Sequence, residues 1–466
     1  MGAAVPAGGK GHHALTARAT VDYGENSVIV SAFPTTRDDS GFTPDGEATQ
    51  PIPGLVHVFA AGKPAAHPIR LDQGPIKFGR VEAPGVIVLD DERTSRKHTQ
   101  VTLGAEGIRV KDLGSRNGTF VDGRQVDNEL FAAPPCVLRV GHSLFLFVPD
   151  LQPFVLGGVE VTDLGVSGPS LRAAYERIGR AATIGTLLIT GPSGAGKELA
   201  ARRFHEASCR RGAFVAVNCA AIPEGLAERL LFGARRGAYS GASVDAEGYV
   251  EAADQGTLFL DEIAELDPAV QAKLLRMLEM REVLPLGASH PKKVDVQVCA
   301  ATLKDLRVEV YAGRFREDLY YRIGRPEVRL PALAERLEEI PWLVAEALRR
   351  VDPALVPGAS LVEACLLRPW PGNVRELLVE ARYAASASLA DKRTIVEARD
   401  LSPSAGRAVR EGPAPETQPK PPPSRSEVER ELQSTNGNVS AASRALGIHR
   451  TQLRRLMERY RIDPKV

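Results

Sequence analysis

Gly191, Ser193, Gly194, Gly196 and Lys197 lie in the run Gly-Pro-Ser-Gly-Ala-Gly-Lys, the Gly, four residues, Gly, Lys spacing of a loop that cradles phosphates. An apolar run at 187–190 precedes it and a helical stretch follows. The glycines let backbone N–H groups curl around phosphate oxygens, and Lys197 can reach the β and γ oxygens. The helix N-terminus adds its partial positive charge. Glu198 stands where Ser or Thr usually holds Mg²⁺, so the metal must be held mainly by another acid or through water. A second apolar run, 257–260, ends in the carboxylates Asp261 and Glu262. Asp261 is suited to hold Mg²⁺ and Glu262 to orient and deprotonate an attacking water. Two acids alone could equally be a solvated turn. Behind a phosphate loop they read as the hydrolytic pair of a nucleoside triphosphatase.

These groups need a scaffold, and the chain of 466 residues is long enough for about three domains. Residues 1–52 lack sustained periodicity and read as a flexible lead-in. Residues 53–150 carry short β-branched runs at 86–89, 100–103, 108–110 and 144–148, an all-β domain for which a sandwich is favoured over a barrel. Residues 164–330 alternate apolar strands (187–190, 214–218, 258–260, 296–300) with helices, an α/β core with a parallel sheet. Residues 331–400 read as a helical lid, 401–424 as a proline-rich linker and 425–466 as a small, basic, all-α segment. The expected architecture is therefore multidomain: β-sandwich, α/β core with α-helical lid, then helix-turn-helix.

With a formal net charge of +1, the molecule is no polycation, so any nucleic-acid contact needs a local basic patch. The five cysteines are scattered without metal-ligand spacing, which suits reduced thiols and argues against zinc. No apolar run could serve as a signal peptide or span a bilayer, so a cytoplasmic location away from membranes is expected.

Several motifs of the central segment occur in the order found in bacterial enhancer-binding proteins, the AAA+ activators of sigma-54 RNA polymerase, which it resembles. In that family a Glu after the Walker A lysine is usual, as at Glu198. The run 217–221 resembles the segment whose Asn, here Asn218, couples the catalytic acid to the nucleotide. Gly237, Ala238, Tyr239, Ser240, Gly241 and Ala242 resemble the GAFTGA loop that touches sigma-54. Arg316 and Arg322 match the arginine fingers that reach a neighbouring subunit's γ-phosphate. Such an arginine in trans can be worth ~10³–10⁵ in rate, and makes activity depend on assembly. An isolated arginine more often ends in a surface salt bridge. Thr302 lies in the sensor I stretch, and Arg375 matches the nucleotide-sensing residue of sensor II. The resemblance implies ATP and Mg²⁺ as cofactors and a homo-oligomer from dimer to hexamer. Four positions depart from it: Tyr239 and Ser240 replace Phe and Thr, Leu303 replaces a polar residue, and Ala334 replaces an arginine.

In the β domain, Phe-Gly-Arg ending at Arg80, Thr-Ser-Arg-Lys-His at 94–98, and Asp-Leu-Gly-Ser-Arg-Asn-Gly-Thr-Phe at 112–120 resemble the signatures of a forkhead-associated domain. A phosphothreonine carries nearly two negative charges and three strong acceptors. Arg80 can offer a charged fork, Ser95 a hydroxyl and Arg96 further positive charge, while Asn117 would hold the peptide backbone. The ordinary alternative is a sandwich with polar turns, since Asn-Gly turns are common in β proteins. Control by a Ser/Thr protein kinase follows, with the ligand supplied by a partner or by the chain itself. Thr35, Thr36, Thr43 and Thr49 are candidate phosphosites in the lead-in.

Near the C-terminus Val439, Ala442, Leu446, Ile448, Leu453 and Leu456 recur as a buried seam around a turn at Gly447. The segment resembles a Fis-type helix-turn-helix. Arg450, Thr451, Gln452, Arg454 and Arg455 lie on its second helix, where Arg and Gln can read base edges of upstream activating DNA. A basic amphipathic helix with a solvated face is the plainer alternative. The chain as a whole is expected to be an ATP-driven activator that remodels sigma-54 polymerase under phosphothreonine control. The competing expectation is a DNA-tethered phosphopeptide receptor with weak ATPase activity.

Overall fold

The computed structural model describes residues 50–163, 165–223, 225–238, 244–407 and 425–435, with single positions from 439 to 462. The described residues up to Arg407 form one compact unit and those from Arg425 onward a second.

The first unit opens with eleven strands: β1 (Gly54–Ala60), β2 (Lys63–Arg70), β3 (Ile76–Gly79), β4 (Val86–Val88), β5 (Thr99–Leu103), β6 (Ile108–Asp112), β7 (Thr119–Val121), β8 (Arg124–Gln125), β9 (Glu129–Ala132), β10 (Cys136–Val140) and β11 (Ser143–Val148). They form two sheets, β2-β1-β11-β10-β7-β8 and β4-β3-β5-β6-β9, so the β domain is a sandwich. Side chains alternate across a strand, and here both faces of one sheet are used. Leu55, Leu138, Phe145 and Phe147 fill the sandwich interior. Their neighbours Val56, Val58, Val137, Leu144 and Leu146 point the other way and are equally buried.

What covers that outer face is the helical lid. After α1 (Gln152–Gly157) and the hairpin β12 (Glu160–Thr162) and β13 (Gly165–Ser167), the core comprises α2 (Pro169–Ala181), β14 (Thr186–Thr190), α3 (Lys197–Ala207), β15 (Phe214–Asn218), α4 (Ala227–Phe232), α5 (Tyr249–Ala252), β16 (Thr257–Asp261) and α6 (Pro268–Met280). The hairpin strands β17 (Glu282–Val283) and β18 (Lys292–Lys293) follow, then β19 (Gln297–Thr302), α7 (Leu306–Tyr311), α8 (Glu317–Ile323) and β20 (Glu327–Arg329). The lid is α9 (Ile340–Val351), β21 (Val356–Pro357), α10 (Ala359–Leu366), α11 (Asn373–Ala390) and β22 (Ile395–Val396). Leu343, Val344, Leu361, Val362 and Trp370 of the lid share one apolar cluster with the outer face of the sandwich. Arg139 of β10 adds a half-buried ion pair, 2.8 Å from Glu363 of α10. The β domain and the lid are thus packed as one body.

The core sheet runs β15-β16-β19-β14-β20, all parallel. Its strands are apolar on both sides because helices cover both faces. The expected strands at 187–190, 214–218, 258–260 and 296–300 all lie within or across these, shifted by no more than two residues. The phosphate loop leaves β14 and the acidic pair ends β16, at the carboxyl edge where open α/β sheets bind ligands.

In the second unit α12 (Arg425–Ser434) contributes to a small apolar cluster. Val428, Leu432, Ala442, Leu453 and Met457 are buried in it, with Val439 packed alongside. Ala442 and Leu453 are thus buried as the seam requires, while Leu446, Ile448 and Leu456 lie outside the described residues.

Candidate functional site

A cavity of about 620 Å³ opens between the core and the lid. The phosphate loop, Asp261, Glu262, Asn218 and, from the lid, Arg375 line it. Gly191, Gly194 and Gly196 all have positive φ, which lets successive peptide groups turn around a small anion. Gly194 meets a second demand, because a Cβ there would collide with the carbonyl of Gly372 in the lid.

Lys197 begins α3 and is buried. Its ammonium lies 3.4 Å from Glu262 Oε1 and donates to the Gly191 carbonyl at 3.3 Å. Glu262 has left-handed backbone angles (φ 51°, ψ 49°) where β16 ends. Such strain in a non-glycine residue clusters at functional sites. Its other oxygen accepts the backbone N–H of Leu303 at 3.2 Å. Leu303 therefore touches the acid through its main chain, which any side chain provides, while its own side chain is exposed. Burial raises the Asp261 carboxyl above its ordinary range and Glu262 raises it further, partly offset by Lys197. A cation would relieve that burial cost.

Other expected residues sit further off. Thr302 does not line the cavity. It is fully buried at the end of β19, where its hydroxyl accepts the N–H of Lys304 at 3.0 Å. The Asn218 side chain lines the cavity but accepts the N–H of Ala220, capping a short turn. Glu198 pairs with Arg202 one turn along, at 2.8 Å. Arg316 and Arg322 are exposed near α8 and do not line the cavity. Arg316 is held by Asp318 and Arg322 donates to the Leu278 carbonyl. Two polar residues that the sequence did not single out for a role, Arg336 and Asn373, reach the phosphate loop from the lid side.

Of the loop at 237–242, Gly237 and Ala238 are described, whereas Tyr239, Ser240, Gly241 and Ala242 lie outside the described residues. Its base is closed by a backbone bridge from Ala234 to Ala246 and an ion pair from Arg235 to Asp245 at 2.6 Å. The positions Arg450, Thr451, Gln452, Arg454 and Arg455 also lie outside the described residues.

In the sandwich, three loops meet at one end. Ser95 is the junction: its carbonyl accepts the Arg80 N–H at 3.0 Å and its hydroxyl the Arg116 N–H at 3.0 Å. The amide of Asn117 donates to the Arg93 carbonyl at 2.7 Å. A Cβ at Gly79 would strike the Arg96 carbonyl, so only glycine lets Arg80 start so close to that loop. The buried His98 locks the junction. Its Nδ1 accepts from the Ser95 N–H, so its Nε2 carries the proton and donates to the Gly118 carbonyl at 3.1 Å. Asp112 gathers the N–H groups of Gly114 and Ser115 and the hydroxyls of Ser115 and Thr119. Burial works against its charge, but these donors outweigh it and hold its carboxyl below the ordinary range. The frame leaves the guanidinium groups of Arg80 and Arg96 exposed, with no ion pair among the described residues. That arrangement can bind a doubly charged phosphate.

Models of three families match the chain in this order. They are the FHA domain at residues 76–144, the sigma-54 interaction domain at 165–329, and the Fis family of bacterial regulatory proteins at 425–460. The chain belongs to the sigma-54-dependent transcriptional regulators. Within this family it is similar to the hydrogenase transcriptional regulatory protein HoxA of Bradyrhizobium diazoefficiens, 42% identical over 59% of this chain and 59% of that protein. It is also similar to the transcriptional regulatory protein GlrR of Escherichia coli, 38% identical over 60% of this chain and 63% of that one. The chain therefore spans about three fifths of the length of such sigma-54-family relatives. NtrX from Brucella abortus, solved in complex with ADP, is 30% identical over 64% of this chain and 69% of its own, with a TM-score of 0.48. Among the described residues no helix is long and apolar enough to cross a membrane.

Proposed function

We propose that this regulator hydrolyses ATP in a ring, hexameric in the family's manner, and uses the stroke to remodel sigma-54 RNA polymerase in the cytoplasm. The observation that carries the proposal is the contact of Lys197 with Glu262 at the mouth of the phosphate loop, while Arg316 and Arg322 stand outside it on an exposed surface. Neither of these two arginines lines the cavity of its own chain, in keeping with a neighbouring subunit supplying the finger that neutralises the transferred phosphoryl group.

The γ-phosphate of ATP competes with Glu262 for Lys197. Its arrival frees the carboxylate to orient and deprotonate water, still held by the Leu303 N–H. Arg375, from the lid, faces the same cavity and senses the nucleotide. Mg²⁺ fits the donors present, since it is commonly held by one or two carboxylates plus substrate phosphates. Asp261 would hold it, and the ion would neutralise phosphate charge. Ser193, Gly194 and Gly196 supply backbone groups, and Thr302 supports Lys304 beside them. Tyr239 and Ser240 would press on sigma-54, with Gly237, Ala238, Gly241 and Ala242 shaping that loop.

Input comes through Arg80, Ser95, Arg96 and Asn117, which bind a phosphothreonine made by a Ser/Thr kinase on a partner or on this chain. Output is directed by Arg450, Thr451, Gln452, Arg454 and Arg455 on upstream DNA. The test is steady-state ATP turnover against protein concentration, followed by transcription in vitro with sigma-54 polymerase. Turnover per subunit that rises with concentration and is abolished by Glu262→Gln supports the motor. Flat, negligible turnover refutes it and leaves a DNA-tethered phosphopeptide receptor.

A further inference from the structure

The phosphate loop is held from behind by two lid-side residues. The Asn373 amide donates to the Ser193 carbonyl at 2.9 Å, and its own oxygen accepts the buried N–H of Leu333 at 2.9 Å. Asn373 is buried and sits in left-handed geometry (φ 52°) at the first turn of α11. Arg336, 2% exposed, donates to the Ala195 carbonyl at 2.8 Å and pairs with Glu339 at 3.0 Å. Glu339 in turn accepts the Gly168 N–H that precedes α2.

A trans peptide is planar, and its C=O and N–H point in opposite directions. Fixing the Ser193 carbonyl toward the lid therefore aims the Gly194 N–H the other way. Fixing the Ala195 carbonyl does the same for the Gly196 N–H. Among the described residues neither N–H meets an acceptor. Without an outside hold these peptide units would be free to flip, because Gly194 and Gly196 have positive φ and no side-chain barrier. A flipped unit would present a carbonyl oxygen to a phosphate.

We propose that Asn373 and Arg336 are positioning residues that aim the Gly194 and Gly196 N–H groups at the β- and γ-phosphates, so that lid position sets the affinity for phosphate. The inference rests on the proposed nucleotide site and names a control of it.

The experiment measures binding of ATP, ADP and adenosine to the full chain and to its Asn373→Asp and Asn373→Ala variants, with apo thermal melting alongside. Asn373→Asp keeps the oxygen that takes the Leu333 N–H but turns a lone pair toward Ser193. ATP and ADP should weaken by about tenfold or more while adenosine is unchanged, since the cost of an unmade or repulsive hydrogen bond falls on the phosphate end alone. Glu339→Gln is a second probe that leaves the Asn373 contact intact. It loosens Arg336 and should produce a smaller loss with the same preference for phosphate-bearing ligands. Equal weakening of all three ligands, or none, overturns the positioning role. A wild-type chain that binds neither ATP nor ADP refutes the nucleotide site itself, and the positioning role with it.

Discussion

Leu144 lies on β11 of the FHA sandwich, fully buried, and faces the lid rather than the sandwich interior. Truncating it to alanine removes its share of the packing between the two. Buried Leu→Ala changes cost roughly 2–5 kcal/mol, according to how far the site can collapse. Sheet and helices share one apolar cluster here, to which Val344 and Leu361 also belong, so its packing leaves little room for collapse and a cost of about 3 kcal/mol is expected. The chain offers a selective probe, because its two tryptophans, Trp342 and Trp370, both lie in the lid region. Trp370 is buried, and its indole N–H donates to the Cys365 carbonyl at 2.7 Å. Denaturant unfolding followed by tryptophan fluorescence therefore reports the lid, although the substitution is in the sandwich. If the two are one cooperative body, Leu144→Ala moves the fluorescence midpoint together with the far-ultraviolet transition. A fluorescence transition that stays put while the β signal moves would show two independent domains and refute the shared core.

Two further outcomes follow from the charges. Glu338 is buried with an unpartnered Oε1, and burial raises its carboxyl to about 8 from an ordinary 4.5. The folded chain thus holds a proton that the unfolded chain releases from about pH 4.5 upward, so this contribution to stability is full below pH 4.5 and lost as pH rises through 8. Glu338→Gln should flatten that decline and stabilise the protein by about 1–3 kcal/mol at pH 8.5, read from urea midpoints at two pH values; an unchanged pH slope would exclude it. For the reader domain, Arg80→Ala should weaken binding of a phosphothreonine peptide by about 1.5–3 kcal/mol while leaving its melting temperature near wild type, because the side chain is exposed. Titration calorimetry checks this, and equal affinity would remove Arg80 from the site.

The sites were more legible in the sequence than the contacts between domains, for a physical reason. The loop at 191–197, the carboxylates after 257–260 and the signatures at 80, 94–98 and 112–120 are local. Each needs its residues at fixed spacing within one turn, and spacing is what a sequence displays. Strand positions followed because apolar periodicity is local too, with ends off by a residue or two. The sandwich–lid interface is different. Leu144, Phe145, Leu146 and Phe147 form an unbroken apolar run, which says that both faces of β11 are covered but not by what. Asn373 and Arg336 stand 180 and 141 residues from the carbonyls they hold, and no periodicity links such distant partners. Thr302 failed to reach the cavity for a related reason. Its placement at the carboxyl end of a strand was legible, but the side on which its hydroxyl would be consumed, by Lys304, was not.

The lid therefore stands between the two proposed binding sites. Its outer face is continuous with the sandwich through Leu144 and the Arg139–Glu363 pair, and its inner side grips the phosphate loop through Asn373. Arg139 also lies 3.8 Å from the ring centroid of Phe120, on the strand β7 that follows the loop carrying Asn117. A packed interior transmits displacement rather than absorbing it. A shift of the lid on nucleotide binding would then carry the sandwich loops with it, and if that shift changes their affinity for a phosphothreonine peptide, linkage requires the peptide to change nucleotide affinity by the same factor. A phosphothreonine peptide that leaves ATP affinity unchanged would mean that sandwich and lid move together without either ligand favouring one lid position over another.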